Sequence, residues 1–386
     1  MKISKIWLNL FLIIFFIFPS LAFANDDTDE VMKIFAPIVD KYKIPGLVVG
    51  VTQNGVHKFY TIGVASKKDN QPVTPDTLFE LGSMSKVFTA TLAALAEQRG
   101  DINLNDKVSH YLCNDECKIG DDLTLMDLAT HHSGGLPLQV PNNINNVDAL
   151  INWLKNWKPI KPDARSYSNI SIGLLGHITA QAMGSHYTDI AQNMLFPTLG
   201  LENTWINVPE NKMALYAYGY DKKTDKPIRV SKGLLDAEAY GVKSSARDML
   251  KLLDIELTQG DVSDEIKAAI LRTQQGQFKT AYFTQDMILE QYPWPEDVKD
   301  VPLKQILAGN GYDFIMQPQP VDKITPPLPP QKQVYINKTG STNGFGGYIA
   351  FIPSENLGVV LLANKNFPNE ARVEATLALM QNLLAK

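Results

Sequence analysis

Strand-forming runs stand at the two ends of this sequence and helix-forming runs fill the middle. A sheet must therefore close across most of the chain. Near the start, Leu47–Thr52 and Val56–Ile62 are β-rich runs joined by Asn54-Gly55, a hairpin signal. Near the end, Val334–Lys338, Gly346–Ile352 and Leu357–Ala363 read as strands, with Pro353-Ser354-Glu355-Asn356 turning between the last two. A helix precedes the first strand. Thr28 caps it, Val31, Ile34, Phe35, Ile38, Val39 and Tyr42 form its apolar stripe, Pro37 bends it and Ile44-Pro45-Gly46 ends it. A second helix, Glu370–Ala385, closes the chain. Between the strands, Asp106–Leu112, Thr124–His131, Val147–Trp157, Ile170–Met183, Asp248–Leu257 and Ser263–Gln274 read as helices or short turns. The expected fold is α+β: an antiparallel β-sheet flanked by the terminal helices, with an all-helical lobe inserted between its strands. Leu201–Val242 is irregular, and an irregular stretch that long is usually functional. Pro318–Pro330 reads as a surface loop inside the same domain.

The first 24 residues stand apart. Lys2 and Lys5 give a basic start, Ile6–Phe18 is almost wholly apolar, and Ala22-Phe23-Ala24 offers a cleavage site. This is the pattern of a secretory signal peptide. Its apolar core is too short to span a bilayer, and no cysteine follows it for lipid attachment. The expected product is an exported, periplasmic chain of residues 25–386, cleaved after Ala24, with one domain and no stable membrane anchor. A net charge of −5 without a basic cluster argues against a nucleic-acid partner. The two cysteines, Cys113 and Cys117, can pair in an oxidising compartment or, with His110, Asp115 and Glu116 nearby, join a metal site. Either way the pair reads as local and structural.

Chemistry concentrates first at Leu81-Gly82-Ser83-Met84-Ser85-Lys86. Residues i and i+3 share a helix face, so Ser83 presents its hydroxyl beside the Lys86 amine. A serine hydroxyl needs such a neighbouring base to act as a nucleophile. A helix start also offers free N–H groups to a developing oxyanion. Ser-x-x-Lys alone arises by chance roughly once in a chain this long, and an N-cap serine beside a surface lysine is the plain alternative.

Two further stretches change that balance. In Tyr167-Ser168-Asn169 a phenol can trade a proton if cations stabilise its anion, and Asn169 can hydrogen-bond a substrate amide. Lys338-Thr339-Gly340-Ser341 ends a strand with a positive charge, a hydroxyl and room for a ligand at the strand edge. Taken singly, a packed tyrosine and an edge-strand lysine explain them. In this order, after the sole Ser-x-x-Lys of the sequence, coincidence is a poor account.

With these motifs the chain resembles the serine β-lactamases and penicillin-binding proteins. Tyr-x-Asn in place of Ser-Asp-Asn points to the class C β-lactamases. Phe79-Glu80-Leu81-Gly82-Ser83, Gly135-Leu136-Pro137-Leu138-Gln139, Leu235-Asp236-Ala237-Glu238-Ala239-Tyr240-Gly241-Val242, Gly344-Phe345-Gly346-Gly347-Tyr348 and Leu362-Ala363-Asn364-Lys365-Asn366-Phe367-Pro368-Asn369 extend the likeness over essentially the whole exported chain. The resemblance implies hydrolysis of the β-lactam amide of cephalosporins and penicillins through a serine acyl-enzyme, hence antibiotic resistance.

It implies Ser83 as nucleophile, with Lys86 and Tyr167 as the proton-transfer network and either one as the acylation base. The backbone N–H groups of Ser83 and Ser341 would form the oxyanion hole. Lys338 and Thr339 would bind the substrate carboxylate and tune Tyr167, with Gly340 and Ser341 along the same edge, and Asn369 and Arg372 would also meet that carboxylate. Gln139 and Asn169 would contact the acylamide side chain, and Tyr240 would line its pocket. Ser168 departs from the family, where alanine is common, and Asn343 stands where a smaller residue is common.

The small-molecule β-lactam is the only partner implied, with the chain a monomer. No cofactor and no metal are implied. None of the six histidines has a ligand partner at metal spacing, and no His-x-His-x-Asp run is present. A carboxypeptidase acting on peptidoglycan stem peptides is the closest rival, and an esterase or an inactive binding relative stand further off.

Overall fold

The computed structural model describes residues 26–120 and 122–385. The expected signal peptide and its cleavage site lie outside the described residues. Among the described residues no helix is long and apolar enough to cross a membrane.

The sheet closes as the end-loaded strand pattern requires. Across it the strands run Asp322–Leu328, Gly276–Lys279, Thr284–Gln285, Glu290–Pro293, Val334–Ser341, Gly346–Ile352, Leu357–Ala363, Gly46–Gln53, Val56–Ser66 and Gln71–Pro72, every pair antiparallel. Strand Gly46–Gln53 lies between its hairpin partner and the last strand, with Leu47 opposite Ala363 and Gln53 opposite Leu357.

Successive side chains of a strand point to opposite faces, and two cores result. Leu47, Val49, Val359 and Leu361 face one side, where they meet Val31 and Phe35 of helix Asp26–Tyr42 and Val373, Leu377 and Met380 of helix Asn369–Leu384. Val48, Val360 and Leu362 face the other, against Met249, Leu250 and Leu253 of helix Ala246–Glu256 and the rest of the helical lobe. The long buried helix Lys86–Arg99 runs through that lobe, beside helix Asn169–Ala182.

Four local expectations change. Thr28 lies inside its helix, which begins by Asp26. Ser83 sits on a 3₁₀ turn, Gly82–Ser85, and the α-helix starts only at Lys86. The proline-rich stretch is not a loop, because Asp322–Leu328 forms the outer strand of the sheet. Proline lacks the N–H that a ladder needs and suits such an edge. Finally, strands Gly276–Lys279, Thr284–Gln285 and Glu290–Pro293 carry no strand signal in the sequence. Their buried Gln277, Gln285, Glu290 and Gln291 hide the apolar alternation that marks a strand.

Cys113 and Cys117 form a disulfide, with Cα atoms 5.9 Å apart, at the end of helix Val108–Cys113. That settles the open choice at this pair in favour of the bond.

Candidate active site

The Ser83 turn is wedged between two segments. On one side Leu81 N–H donates to Val242 O at 2.9 Å, and Val242 N–H donates to Ser85 Oγ at 3.1 Å. On the other lies the end of strand Val334–Ser341. Gly82 has φ +52°, and a Cβ there would stand 2.5 Å from Ser341 N. Glycine is needed for both reasons.

Lys86 is wholly buried. Its Nζ donates to Ser83 Oγ at 2.9 Å, to Asn169 Oδ1 at 2.7 Å and to Ala239 O at 2.7 Å. On a 3₁₀ turn residues i and i+3 eclipse one another, which lines the serine up with the lysine. Ala239 adjoins Tyr240, so the loop expected to line the side-chain pocket is tied to the same amine.

Tyr167 is placed by the helix cap next to it. Ser168 caps helix Asn169–Ala182, its Oγ accepting from Ile170 and Ser171 N–H and donating to Pro137 O at 2.7 Å. Asn169 N–H donates to Leu138 O at 2.8 Å, which fixes the Gly135–Gln139 segment beside the motif. The departure from alanine at position 168 therefore has a structural use.

The Tyr167 ring lies among cations. Lys86 Nζ is 5.3 Å from its centroid, Lys338 Nζ 5.2 Å and the Arg165 guanidinium 5.5 Å. Its hydroxyl is buried without a well-aligned hydrogen bond, yet close enough to Ser83 for that hydroxyl to favour the phenolate. Burial pushes the Tyr167 pKa up, but Lys338 and Lys86 outweigh it and bring the phenol down to about 8. Burial, helped by Lys338, lowers the Lys86 ammonium to about 8, against the opposing pull of Tyr167. Two groups with ordinary pKa values of 10.0 and 10.5 are thus poised for proton exchange at moderate pH.

Three residues around Tyr167 gave no signal in the sequence. Arg165 and Glu290 form a fully buried pair at 3.2 Å, and Arg165 Nε donates to Gln285 Oε1 at 2.6 Å. His131 lies with its ring 4.4 Å from that of Tyr167. Burial, with Arg165, Lys86 and Lys338 nearby, holds its pKa well below the usual value, and its Nδ1 accepts from Ser168 N–H at 3.3 Å. Arg165 sits two residues before Tyr167, but nothing in the chain marked it as buried.

The remaining expected residues divide. Thr339 and Gly340 lie on the strand edge beside Lys338, Ser341 is exposed at its end, Gln139 is exposed and Tyr240 is half-buried. Asn369 is half-buried too, with its amide donating to Asn310 O at 3.3 Å. Arg372 packs deeper than the others. It is wholly buried behind the strand, donating to Gly340 O at 2.8 Å, Gly347 O at 3.2 Å, Asn366 Oδ1 at 2.6 Å and Phe367 O. With Ser341 Oγ as a further partner, 3.0 Å away, it supports the end of the strand that carries Gly340 and Ser341. Among the described residues no group of three or more His, Cys, Asp or Glu is arranged to hold a metal ion.

Comparison with known proteins agrees with this geometry. Residues 31–383 match the model of the Beta-lactamase family. A β-lactamase of Pseudomonas fluorescens is 42% identical, over 92% of this chain and 99% of its own length. The crystal structure of a class C β-lactamase from Rhodobacter sphaeroides is 57% identical and superposes with a TM-score of 0.89, covering 92% of this chain and 99% of that one. A protein from Pseudomonas syringae described as a β-lactamase/D-alanine carboxypeptidase gives a TM-score of 0.87 at 42% identity, with the same coverage. A serine held by a buried lysine beneath a cation-flanked tyrosine, on a fold shared over 92% of its length and with residues 31–383 matching the family model, places this chain in the β-lactamase family.

Proposed function

We infer that the chain is a class C serine β-lactamase that hydrolyses cephalosporins and penicillins and so destroys the drug. The observation that carries this reading is the contact of Lys86 Nζ with Ser83 Oγ at 2.9 Å, with Tyr167 held between Lys86 and Lys338.

Ser83 Oγ attacks the lactam carbonyl while its proton passes to the Lys86–Tyr167 pair. Lys86 and Tyr167 work as one proton store, since the charge of each stabilises the charge of the other. The carbonyl oxygen gathers negative charge between the N–H groups of Ser83 and Ser341. The stored proton then goes to the lactam nitrogen as the amide C–N bond breaks, leaving the acyl-enzyme. A water molecule, deprotonated by the same pair, attacks the ester, and the proton returns to Ser83 Oγ. Lys338 and Thr339 hold the substrate carboxylate. Gln139, Asn169 and Tyr240 take the acylamide side chain, with Asn169 also fixing Lys86. Asn369 stands near the carboxylate end.

The leader-like first 24 residues and the Cys113–Cys117 bond support export to the periplasm, where disulfides persist. The family likeness supports a monomer.

A second reading, a D-alanine carboxypeptidase, is favoured by the description of the Pseudomonas syringae relative. The two share acylation and differ in deacylation. A step ~10⁴-fold slower corresponds to ~5.5 kcal/mol of barrier. Mass spectrometry after mixing with a penicillin separates them: the lactamase shows an adduct that decays with turnover, whereas an adduct stable for hours overturns the lactamase reading.

A further inference from the structure

Glu80 lies three residues before Ser83 and is buried, yet the catalytic steps give it no task. It is paired in a short strand with Lys243, across from the segment that clamps the Ser83 turn. Three hydrogen bonds converge on its carboxylate. Tyr216 Oη donates to Oε1 at 2.6 Å, Val230 N–H donates to Oε1 at 2.7 Å, and Thr342 Oγ1 donates to Oε2 at 2.6 Å. Two of the donors come from the Leu201–Val242 stretch, and the third directly follows strand Val334–Ser341.

The last of these bonds matters for chemistry. Thr342 adjoins Ser341, whose N–H faces the oxyanion, and Glu80 stands on the segment that carries Ser83, whose N–H is the other donor. The two segments already touch where Gly82 meets Ser341 and where Gly340 meets Leu81 O. Those contacts stop them from closing further. The Glu80–Thr342 bond stops them from opening. Thr342 has little other freedom, because its Oγ1 accepts from Phe345 N–H at 3.2 Å and its carbonyl accepts from Asn366 Nδ2 at 3.0 Å.

We propose that Glu80 is a positioning residue for the oxyanion hole, holding the Ser341 N–H at a fixed distance from the Ser83 N–H through its hydrogen bond with Thr342. The proposal rests on the serine acyl-transfer reading. A hole set by opposed contacts and a bond is rigid before the substrate arrives, and preorganised donors of this kind stabilise the transition state. Loss of the bond loosens one donor without touching the substrate.

The test uses Thr342→Val, Thr342→Ser and Glu80→Ala in the full chain, with thermal melts to confirm folding. Two quantities are read: turnover of a chromogenic cephalosporin, and inhibition by phenylboronic acid. The boron adds the Ser83 oxygen and becomes tetrahedral, mimicking the reacting carbonyl. Thr342→Val and Glu80→Ala are expected to lower kcat by about ten- to a hundredfold with KM within about threefold, and to weaken boronate inhibition by a similar factor. Thr342→Ser keeps the hydroxyl and restores both. A Thr342→Val enzyme with wild-type kcat and wild-type boronate affinity overturns the proposal, as does a loss that appears in KM alone. If Glu80→Ala does not fold, the Thr342 pair decides. If the wild type fails to turn over the cephalosporin, the lactamase reading falls, while the boronate arm still decides for or against Glu80.

Discussion

Lys86 Nζ lies 5.3 Å from the centre of the Tyr167 ring, and each residue favours the charged form of the other. Lys338, 5.2 Å from that ring on its own approach, lowers the pKa of both. The proton store is empty above the pKa of the pair and full below it, so kcat/KM is lost as pH falls through the region near about 8. Replacing Lys338 with Met removes a charge that favours phenolate and opposes ammonium. Both pKa values then rise, and the acid limb of the kcat/KM profile moves to higher pH by about one unit. Profiles of the two enzymes with one chromogenic cephalosporin check this. A limb that stays in place or moves to lower pH contradicts the assignment.

Ser83→Ala removes the attacking oxygen while leaving the turn and its neighbours in place. Hydrolysis is expected to drop by at least about 10³, and the penicillin adduct disappears from the mass spectrum. Tm changes little, because Ser83 is only half-buried and its side chain makes a single well-formed hydrogen bond, with Lys86.

Glu256 gives a stability test away from the chemistry. Burial raises its carboxyl from 4.5 to about 7, with Oε2 accepting from Gln274 at 2.7 Å and Oε1 unpartnered. The folded chain therefore binds more protons than the unfolded one between these values. Stability is fully present below 4.5 and is lost as pH rises towards about 7. Glu256→Gln removes the ionisation and is expected to gain about 3 kcal/mol over the wild type above pH ~8. At acid pH the gain vanishes. Denaturant melts of both proteins at the two pH values measure it.

The buried pair of Arg165 and Glu290 predicts an asymmetry. Arg165→Met strands a carboxylate in the interior and is expected to cost about 3–5 kcal/mol. Adding Glu290→Leu removes the stranded charge and recovers most of that loss. Chemical denaturation of wild type, single and double variants closes the cycle.

Legibility in the sequence tracks burial chemistry. The strands at 46–66 and 334–363 are visible because their buried sides carry Val, Leu, Ile and Phe. The strands between 276 and 293 are not, since Gln277, Gln285, Glu290 and Gln291 are buried there beside Phe278 and Tyr292, with Gln285 and Gln291 bonded to neighbouring polar groups. At the site, Ser83, Lys86, Tyr167 and Lys338 stand out through spacing and order. Arg165 and His131 do not, because an arginine or histidine gains meaning only once the fold removes it from water. The partners of Arg372 behind the Lys338 strand, Gly340 O and Gly347 O, are hidden in the sequence for a similar reason.

Strand Gly46–Gln53 has two partners, one about ten residues away and one at Leu357–Ala363, near the far end of the chain. A nascent polypeptide can form the first pairing at once. It must wait for nearly every later residue before the second becomes possible, and contacts so distant in sequence close slowly. The growing polypeptide therefore cannot complete the middle of its sheet until almost its last residues have been made.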